Sequence, residues 1–256
     1  MTAAVPKSIV NLVGGIAPEL MIKPLDEGSE GAVAMTSVEG AKLDALLDRM
    51  TVLAIGPGLS QRGEAKAVAR ELVAKARVPV VVDADGLNAF EGRVNLLDGA
   101  GRTLVLTPHP GEMARLAGMT VKQVEADRIG LARKFATEHK LTLVLKGWRT
   151  LVAHPDGRIA VNTTGNPSMA KGGSGDILTG IVAAMLAQYP DDVAAAVEAA
   201  VYLHGLAGDF AARAMDEHTV LATDTVAHLS DAFRYRVRDE DGLTWLCGLR
   251  EKRESK

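Results

Sequence analysis

A glycine-rich run that contains one aspartate is the most chemically suggestive part of the sequence. Gly165–Gly180 reads GNPSMAKGGSGDILTG, and its last glycines come directly before an amphipathic stretch that predicts a helix. Glycines at the start of a helix let backbone N–H groups converge on an anion, and the helix dipole favours negative charge there. A carboxylate at the same place would repel a phosphate, so Asp176 needs a different role.

General base catalysis is the role that we assign to Asp176. The carboxylate would take a proton from a hydroxyl while the Gly172–Gly175 amides hold the phosphoryl group that the hydroxyl attacks. The structural alternative is that Asp176 caps the helix and the glycines form a tight turn. The catalytic candidates are therefore Asp176, Gly173, Ser174 and Gly175.

Two more motifs follow predicted strands. Lys146–Thr150 (KGWRT) can contact a nucleotide through its ammonium group and backbone, although alone it would be an ordinary strand-to-loop connection. In Thr107–Glu112 (TPHPGE), two prolines stiffen the loop and fix the directions of His109 and Glu112. We interpret His109 as a binding group. Glu112 is either a first-turn carboxylate favoured by the helix dipole or an organiser of Mg²⁺ and water near the phosphates.

Two further loops, Gly56–Leu59 (GPGL) and Asp83–Asn88 (DADGLN), leave predicted strands at the same edge. Asp85 is either a helix cap or a second candidate for the magnesium and phosphate region. We expect no dedicated metal cage, because the remaining histidines lack metal-ligand spacing and are interpreted as structural or surface residues. These histidines are His139, His154, His204, His218 and His228. P-loop and dinucleotide-fold glycine motifs are missing from the sequence.

The elements that would position these loops alternate along the chain. Nearly continuous apolar runs predict strands buried on both faces of a parallel sheet, namely Thr51–Ile55, Pro79–Asp83, Thr103–Thr107 and Leu141–Lys146. Predicted helices lie at Glu64–Ala76, Thr120–His139, Asp176–Tyr189, Asp191–Met215 and Asp224–Arg234. Thr150–His154 and Arg158–Asn162, joined by a Pro-Asp-Gly turn, predict a hairpin. The order predicts an α/β fold with helices on both faces of the sheet.

Composition and net charge argue against several classes of function. The 256 residues carry a net charge of −3, which offers no electrostatic case for binding nucleic acid or an anionic membrane. A single cysteine, Cys247, excludes an internal disulfide framework, and we expect it to be an unreactive thiol. The first residues show no signal peptide, so the expected compartment is the cytoplasm.

At these motifs the chain resembles the ADP- or ATP-dependent NAD(P)H-hydrate dehydratases, whose fold is ribokinase-like. The matching segments are Ile55–Leu59, Asp83–Asn88, Leu106–Leu116, Leu145–Thr150, Gly165–Gly180 and Ala222–Arg234. GxGD alone is shared with many small-molecule kinases, whereas the PHPGE loop together with GNPxMAxGGSGD is far more specific. The resemblance implies a three-layer α/β/α domain with a mostly parallel central sheet.

The resemblance also implies a reaction and a set of contacts. The family removes water from the hydroxylated nicotinamide ring and restores NADH or NADPH, driven by ADP or ATP with Mg²⁺ assisting. Gly58, His109 and Asp176 are implied to contact the hydrated nucleotide. The residues implied around the AMP part are Lys146, Gly147, Trp148, Arg149, Thr150 and Gly175. The implied assembly is a homo-oligomer, often a tetramer.

Some positions depart from the family pattern. Ser168 stands where the family commonly has glycine, and Lys171 where it commonly has threonine. Lys171 predicts a cation beside the phosphate cradle, where it would either tighten phosphate binding or displace the metal. The family's opening strand and glycine-rich loop have no match. We therefore expect an N-terminally incomplete domain over residues 1–235 and a charged tail over 236–256.

Two other functions stay open at this point. A ribokinase-like kinase of a vitamin-precursor alcohol would use the same Asp176 base, but it would release a stable phosphate ester instead of NADH. An incomplete chain that binds nucleotide without turnover is the second alternative, and thermal stabilisation by ADP without dehydration would support it.

Overall fold

Six strands form the main sheet, in the spatial order β3-β4-β5-β6-β7-β8. The computed structural model describes residues 1–28, 30–235, 237–238, 244–246 and 249–250. The first four strands run parallel, and the last two are added antiparallel as a hairpin. They are Leu53–Ile55 (β3), Val80–Val82 (β4), Leu104–Leu106 (β5), Thr142–Leu145 (β6), Leu151–Ala153 (β7) and Ile159–Val161 (β8). Each predicted strand is confirmed and is slightly shorter than the run that predicts it.

Apolar side chains on both faces explain why these strands lie in the interior. Alternate side chains along a strand point to opposite faces, so each strand contributes to two cores. In β4, Val80 and Val82 pack into one core and Val81 packs into the other. Strands β5, β6 and β7 divide their side chains in the same way. A fully buried Val or Leu side chain contributes about 1.5–3 kcal/mol relative to an exposed one, so both faces stabilise the fold.

One face is covered by the helices that connect the parallel strands. These are Ala65–Lys75 (α3), Ala84–Asn88 (α4), Pro110–Ala117 (α5), Val121–Ala126 (α6) and Arg128–Glu138 (α7). Consecutive parallel strands are neighbours in the sheet, and right-handed crossovers between them place every connection on the same side. The buried residues of these helices accordingly share the core of Val80 and Val82.

The opposite face is covered by helices from the last third of the chain. These are Ser174–Gln188 (α8), Val193–Ala214 (α9), Ala222–Ala227 (α10) and Leu229–Arg234 (α11). Leu178 and Val182 of α8 share a core with Val81, Val105 and Val144 of the sheet. The predicted three-layer α/β/α architecture with a mostly parallel sheet is confirmed.

Two predicted helices are each divided into two. The predicted helix over 120–139 begins with the expected reciprocal cap of Thr120 and Gln123, but it breaks at Asp127. Asp127 has φ −146° and ψ 69°, and its side chain accepts the backbone N–H of Gly130 at 2.8 Å, which starts a new helix. The predicted helix over 224–234 is likewise divided, at His228.

The segment before the main sheet forms a small unit. Thr2–Pro6 (β1) and Met21–Leu25 (β2) pair in parallel, and Val10–Gly14 (α1) lies between them in the chain. Ala41–Leu47 (α2) follows, and its Leu43 joins the core under the connecting helices.

The predicted charged tail contains three short antiparallel strands in the part that the structure describes. They are Val237–Arg238 (β9), Thr244–Leu246 (β10) and Leu249–Arg250 (β11). Cys247 lies outside the described residues, and the domain boundary at residue 235 stays a prediction. Within the described ranges, every helix is too short or too polar to cross a membrane.

Candidate active site

The loops that follow the four parallel strands meet at one edge of the sheet, as the order of elements predicts. Parallel strands present their carboxyl ends together, and ligands of open α/β sheets bind at that edge. The glycine run reaches the same edge from the other helical layer. A Cβ atom built on Gly175 would lie 3.1 Å from Lys146 Nζ and 3.8 Å from Asp83 Oδ2. Three segments distant in sequence therefore line one site.

A buried ion pair lies at the centre of this edge. Lys146 Nζ is 2.7 Å from Asp83 Oδ1 and 3.7 Å from Glu112 Oε2. The second oxygen of Asp83 accepts a hydrogen bond from Thr179 Oγ1 at 2.8 Å. Asp83 and Thr179 are almost fully buried, whereas the Lys146 side chain is 17% exposed. The chain thus holds one ammonium group between two carboxylates, beside the first turn of α8.

His109 and Glu112 cap the start of α5 reciprocally. His109 Nδ1 accepts the backbone N–H groups of Gly111 and Glu112 at 3.0 and 3.4 Å, and Glu112 Oε2 accepts the backbone N–H of His109 at 2.8 Å. An accepting Nδ1 carries no proton, so the neutral ring carries its proton on Nε2, 3.3 Å from Glu112 Oε1. Burial lowers the pKa of His109, which favours this neutral form.

Glu112 is the first-turn carboxylate that one interpretation of the sequence predicts. Its side chain is only 7% exposed, and both of its oxygens lie near donors of His109. The second interpretation, a role toward Mg²⁺, stays a prediction. Among the described residues, no cluster of three or more His, Cys, Asp or Glu side chains could hold a metal ion.

Asp85, in the first turn of α4, anchors the loop after β3 at the edge of the site. Its Oδ2 accepts the backbone N–H of Ser60 at 3.1 Å, and its Oδ1 accepts the side-chain amides of Gln61 and Asn88 at 3.1 and 3.2 Å. Asn88 Oδ1 in turn accepts Arg115 Nε at 2.9 Å. Asp85 is not the helix cap that one interpretation of the sequence predicts, because α4 begins one residue earlier without a side-chain cap. Its hydrogen bonds favour a loop-anchoring role over metal binding.

Arg128 shapes the predicted nucleotide loop, residues 146–150. Its guanidinium donates to the backbone carbonyl of Trp148 at 2.6 Å and to those of Leu145 and Lys146 at 3.3 and 3.4 Å. The same group passes close to Gly147, where a Cβ atom would lie 3.1 Å from Arg128 Nη2 at a φ of +136°. Glycine at position 147 therefore lets the backbone turn around the arginine.

The outer part of this loop presents an aromatic surface. The Trp148 side chain is 83% exposed, and the Arg149 guanidinium lies 5.3 Å from the centroid of its ring. Arg149 also donates to the carbonyl of Thr163 at 2.8 Å, and Thr150 Oγ1 donates to the carbonyl of Gly147 at 3.1 Å. The loop is thus ordered from within, while its indole face stays open to a planar ligand.

Helix α9 anchors the first half of the glycine-rich run. Asp209 accepts the backbone N–H of Gly165 at 3.0 Å and Asn166 Nδ2 at 2.9 Å. Gly205, one turn earlier on α9, permits the close approach, since a Cβ atom there would lie 2.2 Å from Thr164 Oγ1. The run is therefore fixed to α9 before it reaches the edge of the sheet.

The second half of the run leaves backbone donors open. Gly173, at φ +87°, is the first residue before α8 and offers no side-chain cap. Among the described residues, the N–H groups of Gly172, Gly173, Gly175 and Asp176 have no hydrogen-bond acceptor. The N–H of Ser174 donates to the carbonyl of Lys171 at 3.4 Å. The predicted amide cradle therefore has most of its donors available to an anion.

Asp176 and Ser174 differ sharply in their surroundings. Asp176 is exposed, and its carboxylate has no hydrogen-bond or ion-pair partner among the described residues. The alternative interpretation, in which Asp176 caps the helix, is wrong, because no side chain caps the start of α8. The Ser174 hydroxyl is buried and lies 3.5 Å from Nε2 of His204 on α9. Ser174 therefore lines the turn with its backbone only, and its side chain packs behind the turn.

The two departures from the family pattern have local explanations. Ser168 is buried, and its hydroxyl donates to Asn166 Oδ1 at 2.5 Å. The Lys171 ammonium group donates to the carbonyls of His218, at 3.3 Å, and Val220, and the expectation that it adds a cation beside the cradle stays a prediction. A partly buried ammonium group needs acceptors, and the loop between α9 and α10 supplies them.

Five contributors to the site were not predicted. They are Asp83, Arg128, Thr179, His204 and Asp209. Asp83 is the last residue of a predicted strand, and Thr179 lies one helical turn after Gly175, so both carried a positional signal. The other three lie on helices, where only the tertiary structure shows what they contact.

His204 makes the stability of this region depend on pH. Burial lowers the pKa of His204 to about 4, and the charge of Lys146 acts in the same direction. An unfolded histidine titrates near pH 6.5, so between about pH 6.5 and 4 the unfolded chain binds the additional proton. The free energy of unfolding therefore falls as the pH falls through this window.

The variant His204→Gln should lose this part of the pH dependence. Between pH 7 and pH 4.5, we expect the wild type to lose about 2–3 kcal/mol more unfolding free energy than His204→Gln. Urea unfolding at each pH measures the difference. His218→Gln is the matched control, because His218 is exposed on the surface, and it should follow the wild type. Equal pH dependence of the wild type and His204→Gln would contradict the assignment.

The chain is similar to known proteins over most of its length. A family model described as NAD(P)H-hydrate dehydratase matches residues 1–232. A bifunctional NAD(P)H-hydrate repair enzyme of Moorella thermoacetica is 44% identical over 238 residues, which cover 91% of this chain and 44% of that protein. The chain spans less than half the length of the bifunctional relatives that it matches.

Solved structures share the fold. An ADP/ATP-dependent NAD(P)H-hydrate dehydratase of Bacillus subtilis, co-crystallised with ATP and Mg²⁺, superposes with a TM-score of 0.71 at 30% identity, covering 90% of this chain and 76% of that one. A ribokinase-like protein of Enterococcus faecalis superposes with a TM-score of 0.70 at 26% identity, covering 90% and 75%. The predicted ribokinase-like fold is confirmed. With a family match over residues 1–232, the chain belongs to the NAD(P)H-hydrate dehydratase family.

Proposed function

We propose that this chain catalyses the ADP- or ATP-dependent dehydration of hydrated NADH and NADPH. The observation that carries the proposal is an exposed, unpartnered carboxylate, Asp176, beside the open N–H groups of a glycine turn. A base next to an anion cradle is what phosphoryl transfer to a hydroxyl requires. The family membership and the names of the relatives support the choice of substrate.

Asp176 would take the proton of the ring hydroxyl of the hydrated nucleotide. The hydroxyl oxygen then bonds to the terminal phosphorus of ADP, and the bond to AMP breaks. The amides of Gly172–Gly175 and the Lys146 ammonium group hold the charge of the phosphoryl group in transfer. The ring carbon–oxygen bond breaks next, and phosphate leaves with the electron pair. Loss of a proton from the neighbouring ring carbon then restores the double bond of the reduced nicotinamide.

Gly58 and His109 would contact the hydrated nucleotide together with Asp176. His109 suits this role because its side chain is half exposed and its ring is held by two backbone N–H groups at Nδ1. The ring is therefore held in one orientation, in which its exposed edge can contact the ligand.

The nucleotide-binding group would be the loop after β6 and the start of α8. Its members are Lys146, Gly147, Trp148, Arg149, Thr150 and Gly175. The exposed indole of Trp148, with Arg149 stacked on it, offers a flat face to an adenine base. The Lys146 ammonium group, beside Gly175, would face the phosphates.

Mg²⁺ would enter with the nucleotide, because the described residues offer no metal cage of their own. Its charge would offset that of the phosphates. The Glu112 carboxylate is an oxygen donor of the kind that Mg²⁺ prefers, and it lies 3.7 Å from the ammonium group that faces the phosphates. Asp85 suits this role less well, because its oxygens already accept three hydrogen bonds from the chain.

The proposal includes the oligomeric state and the cellular compartment of the protein. We expect a homo-oligomer, a tetramer being the family's frequent form, that acts in the cytoplasm on free nucleotides. No partner nucleic acid or membrane is expected from the net charge of −3. Light scattering after size-exclusion chromatography measures the assembly directly.

Recovery of the reduced-nicotinamide absorbance tests the function. Purified protein is incubated with hydrated NADH, ADP and Mg²⁺, and we expect absorbance recovery with one AMP formed for each NADH restored. Omission of ADP is the control, and addition of a chelator tests the need for Mg²⁺. Folded protein that binds ADP without restoring NADH would overturn the proposal. A stable phosphate ester without ring restoration would assign a kinase instead.

A further inference from the structure

We infer that Asp83 and Thr179 are positioning residues that hold the Lys146 ammonium group at the glycine turn, where it binds the nucleotide phosphate. The inference rests on the proposed function and adds two residues to it. Two hydrogen bonds in series carry it, from Thr179 on α8 to Asp83 after β4 and from Lys146 after β6 to the same Asp83.

The Asp83 carboxylate is fixed from two sides. It follows β4 directly, is 1% exposed, and binds a different partner with each oxygen. Lys146 Nζ lies 2.7 Å from Oδ1, and Thr179 Oγ1 donates to Oδ2 at 2.8 Å. Rotation of the carboxylate would break one of these bonds in a buried environment, where an unpaired polar group is costly. The orientation of Oδ1 toward Lys146 is therefore set in part by Thr179.

Thr179 connects this carboxylate to the turn that carries the open N–H groups. It lies one helical turn after Gly175, and its Oγ1 is also 3.2 Å from the carbonyl oxygen of Gly175. Thr179 and Asp83 are 96 residues apart, so the bond joins two layers of the fold. Through Asp83, the lysine that directly follows β6 is held beside the first turn of α8.

Lys146 keeps donor capacity for a ligand. Within the described part of the chain, Asp83 is the acceptor of its one hydrogen bond, and the 3.7 Å separation from Glu112 Oε2 is too long for a second. An ammonium group has three donors. The missing Cβ of Gly175 leaves room for Nζ beside the open amides, which a side chain at position 175 would occupy. A cation held there adds charge where the phosphate binds.

The first test measures the position of Lys146 without any nucleotide. The full-length protein is acetylated with an amine-reactive ester, and mass spectrometry follows the rate at Lys146 relative to exposed Lys75. Thr179→Val removes the hydroxyl that orients Asp83, and we expect Lys146 to react at least about threefold faster. Thr179→Ser keeps the hydroxyl and should react like the wild type. Thr137→Val makes the same change on α7, at an exposed site, and is the matched control.

The second test separates positioning from a purely structural role. In the dehydration assay, we expect Thr179→Val to raise KM for ADP by about tenfold, while KM for hydrated NADH changes less than twofold. Thr179→Ser should restore the ADP value. A structural role would lower the melting temperature and leave KM for ADP unchanged. Should Thr179→Val not fold, Thr179→Ala removes the same hydroxyl without the branched methyl and is judged by the same thresholds.

The inference is overturned if the folded hydroxyl-free variant leaves both the Lys146 acetylation rate and KM for ADP within twofold of the wild type. Failure of the proposed function gives a different result, namely a wild type that restores no NADH. In that case the acetylation rates, together with ADP binding measured by calorimetry, still decide whether Thr179 holds Lys146 in place.

Discussion

With asparagine in place of Asp176, we expect kcat for the restoration of NADH to fall by about 10²- to 10⁴-fold. The substitution keeps the shape of the side chain and removes the proton acceptor. Asp176 is exposed and makes no hydrogen bond within the described structure, so no stabilising contact is lost. The free energy of unfolding should fall by no more than about 1 kcal/mol, which is what the helix dipole contributes to an exposed first-turn carboxylate. Steady-state kinetics and urea unfolding on the same preparation measure the two quantities.

Binding of ADP should change little in Asp176→Asn, because the amide cradle and Lys146 remain. Calorimetric titration with ADP separates this expectation from a general loss of the site. Asp191→Asn is the matched control, since Asp191 is an exposed aspartate just before α9 and away from the glycine turn. A variant at position 176 that retains more than a tenth of wild-type kcat would assign the base elsewhere.

Gly56→Ala should be among the most destabilising single substitutions in the chain. An added Cβ atom would lie 1.7 Å from the backbone carbonyl oxygen of Asp83 and 2.9 Å from the backbone nitrogen of Gly86. Gly56 also has φ +130°, a conformation that residues with a Cβ rarely adopt. We expect a loss of more than about 4 kcal/mol in urea unfolding, or no folded protein at all.

Gly58→Ala is the matched control, since Gly58 lies in the same loop with a positive φ of +69°. A Cβ atom there would meet nothing within 4 Å, so backbone strain alone remains, at a cost of about 1–2 kcal/mol. A loss at Gly56 no larger than the loss at Gly58 would show that the loop after β3 can move away from Asp83. Gly56 therefore matters for function indirectly, because its backbone packs against the residue that pairs with Lys146.

The strands, the hairpin and one helix cap could be predicted because each depends on residues that are close together in the sequence. Apolar runs such as Thr103–Thr107 must be buried on both faces, and the turn at residues 155–157 dictates a hairpin. The cap of Thr120 on Gln123 spans three residues and is visible in the sequence. The helix break at Asp127 is not visible in the sequence, because an aspartate at this position could equally face solvent within a continuous helix.

The sequence predicts which loops form the site, but it does not predict which side chains contact each other there. All of the motif loops lie at the predicted edge, since strand direction decides that. The pairing of Asp83 with Lys146 joins residues 63 apart, and only the order of strands in the sheet brings them together. The acceptors of Lys171 could not be predicted for the same reason, because these carbonyls lie 47 and 49 residues further along the chain.

The division of the sheet into two cores has a thermodynamic consequence for ligands. The loops after the parallel strands belong to one helical layer, and the glycine turn belongs to the other. Under the proposed function, a nucleotide bound between them would contact both layers, so its binding free energy would add to the cohesion of both. At a concentration one hundred times its dissociation constant, such a ligand adds about 2.7 kcal/mol to the free energy of unfolding. Bound nucleotide would thus lower the unfolded fraction of the protein as well as supply the phosphoryl group.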